Sequence, residues 1–158
     1  MRLILQRVKK ASVEVAGAGI RSIGPGLMIL IGITHEDTLA EAAYMADKAM
    51  GLRIFDDDAG HLNRSLLDTG GECLIVSNFT LYANCRKGRR PSFVEAARPE
   101  TAIPLYEAFV EAVKQAGVSV QTGEFGGDMQ VEIHNDGPVT VLLDSQEIMP
   151  GRRGQKEE

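Results

Sequence analysis

The sequence predicts an α+β fold in which two helices pack on strongly twisted, mostly antiparallel sheets. Short segments with strand periodicity outnumber the helical segments, and most connections between them suit antiparallel pairing. The chain has 158 residues, 44% of them hydrophobic and 25% charged, which is typical of one domain with one core. We therefore expect a single domain over residues 1–145 and a polar, disordered tail over residues 146–158.

Period-two patterns and short apolar runs predict the strands. Residues 11–15 alternate between apolar and polar side chains, as a strand with one buried face does. Residues 27–33 are apolar on both faces and are expected to form a central, buried strand. The other strands are predicted at residues 3–8, 20–23, 53–55, 72–81, 118–120, 129–133 and 139–143.

Two segments combine helical spacing of apolar residues with signals for a helix start. In the first, Asp37 or Thr38 can cap a helix that runs to about Met50. The second begins near Pro99, a residue type favoured at the first helical position, and runs to about Ala116. These two helices are the ones expected to cover the sheets.

Composition excludes several classes of protein. The longest apolar run, residues 27–33, is far shorter than the roughly 20 residues that a membrane helix needs. The first apolar run is too short for a signal-peptide core, so we expect a cytoplasmic protein with no membrane partner. Cys73 and Cys85 have no CxxC spacing and are expected to be reduced thiols rather than metal ligands.

One short segment concentrates positive charge on an acidic chain. The net charge of −5 argues against a general nucleic-acid-binding protein. Arg86, Lys87, Arg89 and Arg90 nevertheless place four positive charges within five residues. Such a run suits contact with phosphates at a single place, but a solvated loop can carry the same residues, and the sequence leaves both interpretations open.

The common catalytic motifs do not occur in the sequence. His35, His61 and His134 lack the spacing of metal ligands, and there is neither a GxSxG elbow nor a P-loop. We therefore expect no metal and no cofactor. A thiol hydrolase is an open alternative, since Cys85 lies beside two cations, although no histidine is evident as its base.

Two polar clusters remain, each beside an apolar strand segment. They are residues 77–80, SNFT, and residues 135–140, NDGPVT. Taken singly, both are explained by local backbone hydrogen bonds and turns. If the strand continues through the first cluster, Asn78 and Thr80 share one of its faces.

Taken together, the two clusters make the chain resemble the D-aminoacyl-tRNA deacylases, often called D-tyrosyl-tRNA deacylases. The signatures of that family are Ser-Gln-x-Thr and Asn-x-Gly-Pro-x-Thr. Residues 135–140 match the second in full, and residues 77–80 match the first except that Asn78 stands where glutamine is usual. The similarity covers nearly the whole chain, through MRLILQRVKKASVEV, RIFDDDAGHLNRSL, SNFTLYANCRKGRRPSF and QTGEFGGDMQVEIHNDGPVT.

The resemblance implies hydrolysis of the ester between a D-amino acid, or glycine, and the 3′-terminal adenosine of tRNA. It implies a barrel-like homodimer without a cofactor or a side-chain nucleophile, in which the 2′-hydroxyl of the substrate helps to activate water. Gly137 and Pro138, joined by a cis peptide, would enter the active site of the other subunit. There they would reject L-aminoacyl groups by steric collision.

The resemblance also assigns roles to single residues. Catalysis falls to Ser77, Phe79 and Thr80, which would offer donors to the ester carbonyl oxygen. Substrate binding falls to Asn78, Gly137, Pro138, Phe125 and Met129. The charge run, rather than the resemblance, makes the four cations of the basic segment the candidates for tRNA phosphate contacts: Arg86, Lys87, Arg89 and Arg90.

Two points remain open from the sequence alone. Phe125 and Met129 could equally be core residues. The implied partners are tRNA and a second copy of the chain, but not DNA. The alternative from another class is a non-catalytic module that binds tRNA or assists editing, which the departure at Asn78 favours.

Overall fold

The computed structural model describes residues 1–151 and shows two long helices among eight strands in that part of the chain. The elements in order are β1 (Arg2–Val15), β2 (Gly19–Ile23), β3 (Gly26–Gly32), α1 (Leu39–Gly51), β4 (Phe55–Asp56), β5 (Leu62–Arg64), α2 (Leu66–Thr69), β6 (Glu72–Ser77), a 3₁₀ turn (Phe79–Tyr82), α3 (Pro99–Gln115), β7 (Val120–Thr122), β8 (Met129–Asp144) and α4 (Ser145–Ile148).

The main sheet is mixed, with three antiparallel and two parallel pairs of strands. β1 pairs antiparallel with β2, β3 and β8, whereas β6 pairs parallel with both β3 and β7. The parallel pairs are joined by long crossovers that contain α1 and α3. Most strand pairs are antiparallel, as predicted, but the two parallel pairs were not predicted, because a short apolar run carries no signal of its direction.

The sheet curves until it is nearly closed like a barrel. Its path runs from β2 through β1, β3 and β6 to β7. Arg21 of β2 donates a hydrogen bond to the carbonyl oxygen of Thr122 in β7 at 2.7 Å, so the two ends of the path lie within reach of one side chain. This curvature is the twisted arrangement that the sequence predicts.

Two apolar cores lie on opposite faces of the sheet. On one face α1 and α3 cover a large cluster that contains Phe109 and Ile29. On the other face a smaller cluster contains Met28 and Leu74. Neighbouring residues of β3 therefore enter different cores, which confirms the prediction that residues 27–33 form a strand buried on both sides.

β1 and β8 are each continuous where two strands were predicted. They pair along almost their full lengths, but residues 136–139 of β8 lie opposite the single residue Arg7. The Asp-Gly-Pro-Val segment is therefore a bulge inside one strand. Because a bulge changes which side chains face inward, it interrupts the period-two pattern and makes each strand look like two.

The helix starts lie where the capping signals place them. The Thr38 hydroxyl accepts a hydrogen bond from the Ala40 N–H at 3.2 Å, and the Glu41 carboxylate accepts one from the Thr38 N–H at 2.6 Å. Pro99 is the first residue of α3. None of the helices found within residues 1–151 combines the length and the apolar surface that crossing a membrane requires.

The chain continues into a short helix after β8. Ser145 is buried and donates its backbone N–H to the Met1 carbonyl at 2.9 Å, and the Tyr44 hydroxyl donates to the Ile148 carbonyl at 3.0 Å. The predicted tail is therefore wrong for α4, because a single polar turn looks like a loop in sequence. Residues 152–158 of that tail lie outside the described residues.

Candidate functional site

A cavity of about 680 Å³ opens where β3 and β6 end. The carboxyl ends of parallel strands are a common place for ligand sites, and this volume suits a small organic ligand. The start of α3 and the segment between β7 and β8 complete its walls. Five of the predicted site residues line it: Ser77, Asn78, Phe79, Phe125 and Met129.

The motif at residues 77–80 ends β6 instead of extending it. Ser77 is the last strand residue, and the 3₁₀ turn starts at Phe79. The strand predicted to run through this motif is therefore wrong, and Asn78 and Thr80 do not share a strand face. They are still in contact, because the Thr80 hydroxyl donates a hydrogen bond to the side-chain oxygen of Asn78.

This turn packs directly against the end of β3. The backbone N–H of Asn78 donates to the Ile31 carbonyl at 2.8 Å. A side chain at Gly32 would place its Cβ 2.8 Å from the Cβ of Leu81, so residue 32 must be glycine. The first N–H groups of a 3₁₀ turn have no acceptor within it, so those of Phe79 and Thr80 are donors that a ligand can use.

Phe125 and Met129 belong both to the cavity wall and to the cores. Each lines the cavity, while Phe125 packs on the large core and Met129 on the small one. The Phe125 ring meets the Tyr106 ring edge to face at 6.0 Å, and the Tyr106 hydroxyl donates to the Ile75 carbonyl at 3.0 Å. Burial raises the pKa of Tyr106 to about 12, so this support stays a neutral donor.

Gly137 and Pro138 lie outside the cavity of their own chain. Neither residue is part of its lining, and Thr80 is not either. The Gly137–Pro138 peptide is cis. Gly137 has a φ of +129°, and a Cβ there would lie 2.9 Å from the Val139 nitrogen, so only glycine fits.

Arg7 of β1 holds this bulge through contacts with Asp136. Its side chain is 8% exposed, its Nε donates to the Asp136 carbonyl at 3.0 Å, and one terminal nitrogen donates to the Ile54 carbonyl at 3.1 Å. The carboxylates of Asp56 and Asp136 lie 3.4 and 3.5 Å from it. Sequence reasoning missed Arg7, and the available signal was a cation that continues the buried period-two face of Leu3 and Leu5.

The basic segment is exposed and none of its cations lines the cavity. Asn84 and Ser92 exchange two backbone hydrogen bonds, of 2.7 and 2.9 Å, and thereby close residues 85–91 into a loop. The loop therefore starts close to the 3₁₀ turn and returns next to Phe93. Phe93 and Arg98 both line the cavity, and the sequence analysis singled out neither.

The geometry does not support the thiol hydrolase. Neither cysteine lines the cavity. Burial raises the pKa of Cys73 to about 12, so it carries no thiolate near neutral pH, and Cys85 is an exposed residue of the basic loop. Within residues 1–151, no three His, Cys, Asp or Glu side chains come together as a set of metal ligands.

Comparison with known sequences gives matches over nearly the whole chain. The sequence model of the family described as D-Tyr-tRNA(Tyr) deacylase matches residues 4–144. A Thermus aquaticus protein named D-aminoacyl-tRNA deacylase is 55% identical over 153 residues, which are 97% of this chain and 100% of that protein. A protein of the same name from Geobacillus sp. (strain WCH70) is 55% identical over 147 residues, covering 93% of this chain and 97% of the relative.

Solved structures with the same fold are also found. One, described as a c-Myc DNA unwinding element binding protein, is 42% identical with a TM-score of 0.85 and covers 92% of this chain and 99% of its own. A second structure, described as a probable eukaryotic D-amino acid tRNA deacylase, is 20% identical with a TM-score of 0.79. The match covers 90% of this chain and 97% of the second structure's chain. The second likeness shows the fold alone.

Proposed function

This chain belongs to the D-Tyr-tRNA(Tyr) deacylase family, and from that premise we propose that it hydrolyses the ester bond of D-aminoacyl-tRNA. The observation that carries the proposal is the cavity itself, which gathers five of the site residues that the resemblance assigns. The products are a free D-amino acid and tRNA. We place the reaction in the cytoplasm, where aminoacyl-tRNA is made and used.

The cavity offers donors for the reacting ester. Water attacks the carbonyl carbon, and the negative charge that develops on the carbonyl oxygen is stabilised by nearby donors. The Ser77 hydroxyl and the N–H groups of Phe79 and Thr80 fill this role. The C–O bond to the ribose then breaks, and the ribose oxygen takes a proton. The 2′-hydroxyl of the substrate assists the attacking water.

Chiral selectivity is assigned to Gly137 and Pro138 acting in the cavity of a second subunit. The support is that both residues lie outside their own cavity and that Arg7 holds their bulge in one orientation. β8 also leaves Val131 and Leu142 36% and 61% exposed, as a strand that meets a partner would. An L side chain would strike this backbone, whereas a D side chain or the hydrogen of glycine would not.

The basic loop is assigned to the tRNA phosphates. Its four cations are exposed, and its two ends lie beside cavity-lining segments. A bound 3′ end would therefore bring the backbone of the acceptor stem close to this loop. A DNA duplex used as a competitor distinguishes tRNA contact from general affinity for phosphate.

Subunit mixing tests the proposal. In one chain Ala102→Phe fills the cavity, since Ala102 is a buried lining residue. In the other chain Pro138→Ala alters the selectivity motif. Different C-terminal tags isolate the mixed dimer, because the Met1 ammonium is buried 2.6 Å from the Asp37 carboxylate. Hydrolysis of D- and L-tyrosyl-tRNA is measured for each dimer.

The expected pattern has three parts. The Ala102→Phe homodimer is inactive, and the Pro138→Ala homodimer discriminates poorly between D and L substrates. The mixed dimer is active and selective, because the one open cavity receives an intact motif from the other chain. Poor selectivity in the mixed dimer would show that the motif acts within its own chain. A parent protein that binds tRNA without turnover would support the non-catalytic alternative.

A further inference from the structure

Two exposed aromatic rings stand at the mouth of the cavity. The rings of Phe79 and Phe93 meet edge to face, with centroids 5.1 Å apart and planes at 76°. Phe79 is 56% exposed and Phe93 is 36% exposed, although rings of this size are usually buried. Exposed aromatic rings beside a nucleic-acid site commonly serve as stacking surfaces for unpaired bases.

The segment that carries Phe93 is fixed to the rest of the fold. The Thr34 hydroxyl donates to the Glu95 carbonyl at 2.6 Å, and the His35 Nε2 lies 2.8 Å from the Val94 carbonyl oxygen. The Ala97 N–H donates to the Ile33 carbonyl at 2.9 Å. The aromatic pair is therefore a supported platform that requires little ordering when a ligand binds.

Positive charge lies on either side of this platform. Arg98 lines the cavity, and its Nε lies 3.9 Å from the carboxylate of Glu100. Both side chains are largely exposed, so this pair is weak and leaves the guanidinium able to bind another anion. On the other side, Ser92, which closes the basic loop, directly precedes Phe93. A polyanion with unpaired bases matches this arrangement.

We propose that Phe79, Phe93 and Arg98 form a subsite for the penultimate nucleotide of the tRNA 3′ end. Its base stacks on Phe93, and the phosphate that joins it to the terminal adenosine binds Arg98. The inference rests on the proposed function, since an aminoacyl-adenosine in the cavity leaves the preceding nucleotide at the cavity mouth. The subsite would read the single-stranded character of the end rather than its sequence, because every base has a stacking face.

Two small substrates isolate the contribution of this nucleotide. D-Tyrosyl-adenosine carries the reacting ester alone, and the D-tyrosyl ester of the dinucleotide CpA adds one base and one phosphate. We would measure kcat/KM on both for the parent and for Phe93→Leu, Phe93→Tyr and Arg98→Gln. Leucine keeps an apolar side chain without a stacking face, and tyrosine keeps the ring. Arg64→Gln is the matched control, since Arg64 is a part-exposed, ion-paired arginine that does not line the cavity.

The parent is expected to prefer the dinucleotide ester. Phe93→Leu should lower kcat/KM on that substrate about 5- to 150-fold more than on D-tyrosyl-adenosine, the range for one lost base stack. Phe93→Tyr should keep the preference. Arg98→Gln should reduce it and lower the salt slope by about 0.7, the value for one single-strand phosphate. Arg64→Gln should leave the preference as it is.

Other outcomes separate the two proposals. Equal kcat/KM on both substrates in the parent, or a preference that survives Phe93→Leu, would overturn the subsite and leave the deacylase function standing. An equal loss on both substrates with a weakened dimer would assign the aromatic pair to the subunit interface instead. No hydrolysis of either substrate, nor of D-tyrosyl-tRNA, would contradict the proposed function itself.

Discussion

The cavity and the Gly137–Pro138 bulge are built in opposite ways. The cavity is concave and is assembled from the ends of two parallel strands, the start of α3 and the segment before β8. The bulge lies within a single antiparallel pair, and one buried arginine holds it. The cavity thus depends on packing from four parts of the chain, whereas the bulge depends on the contacts of one side chain.

Under the proposed function, the two regions divide a common task. The cavity can accept a ligand within one chain, but neither Gly137 nor Pro138 lines that cavity. A rigid, outward-directed backbone is useful only where another molecule meets it. Variants of the bulge should therefore change selectivity, and variants around the cavity should change affinity or rate.

The largest effect is expected from removing Arg7. Arg7→Met leaves the carbonyls of Ile54 and Asp136 without their donor, so the free energy of unfolding should fall by about 2–4 kcal/mol. The D/L ratio should fall with it, because the bulge loses its support. Denaturant titration and tyrosyl-tRNA deacylation would measure the two effects.

Arg2→Met is the matched control for Arg7→Met. Arg2 also lies on β1 and pairs with a carboxylate of β8, since its Nε is 3.0 Å from Asp144. It should cost stability but keep the D/L ratio. If both variants lose selectivity equally, the bulge is not held by Arg7 in particular.

The second largest effect on stability and selectivity is expected at Gly137. Gly137→Ala places a Cβ at positive φ, within 3.0 Å of Val139, so it should destabilise the fold by about 1–3 kcal/mol and lower selectivity. Gly17 also has a positive φ, but a Cβ there would meet no atom within 4 Å. Gly17→Ala should therefore show only the conformational cost, without the steric collision expected at Gly137. Similar stability and selectivity in the two variants would mean that the backbone at Gly137 can relax.

On the cavity side, neutralising the basic loop should weaken tRNA binding without affecting the D/L ratio. Replacing Arg86, Lys87, Arg89 and Arg90 by glutamine should reduce the salt slope by about 0.9 for each lost duplex phosphate, or about 0.7 on single strands. Filter binding at several salt concentrations tests this. Unchanged affinity and slope would identify the segment as a solvated loop.

Within the cavity, Asn78→Gln should have a small effect. Both side chains carry the same amide, and only the hydrogen bond from the Thr80 hydroxyl needs to shift. One misplaced neutral hydrogen bond is worth about 0.5–1.5 kcal/mol, so the single-turnover rate should stay within about tenfold of the parent. A hundredfold change would place residue 78 in the chemical step.

The smallest effect is expected from a chelator. Neither the sequence motifs nor residues 1–151 of the structure provide a cluster of metal ligands. EDTA should therefore leave hydrolysis of D-tyrosyl-adenosine unchanged, and this small substrate avoids the magnesium dependence of tRNA folding. A loss that a divalent ion restores would disprove the prediction.

The sequence predicts best where local signals decide the structure. The capping box of Thr38 and the first-turn proline of α3 fix the helix starts, and the two-sided apolar run fixes β3. The five predicted site residues that line the cavity were identified through the family resemblance. They lie on segments up to about fifty residues apart, and no periodicity of the sequence connects them.

The features that sequence reasoning missed depend on distant contacts. The parallel pairing of β6 requires two crossovers, and the pattern of β6 alone is the same in either direction. The bulge requires β1 and β8 to be aligned before Arg7 is seen to face four residues. Phe93 and Arg98 look like ordinary loop residues until the connection to α3 folds back against β3.

The pairing of β1 with β8 also affects how the protein is made. More than a hundred residues separate Val15 from Met129, so at about 5–20 residues per second the ribosome delivers β8 roughly 6 to 23 s after β1. During this interval one edge of a 14-residue strand has no native partner. Lys9 and Lys10 are exposed near its middle, and charges on an open edge oppose pairing with other nascent chains. The same two lysines thus lie on the edge of β1 that stays open until β8 has been made.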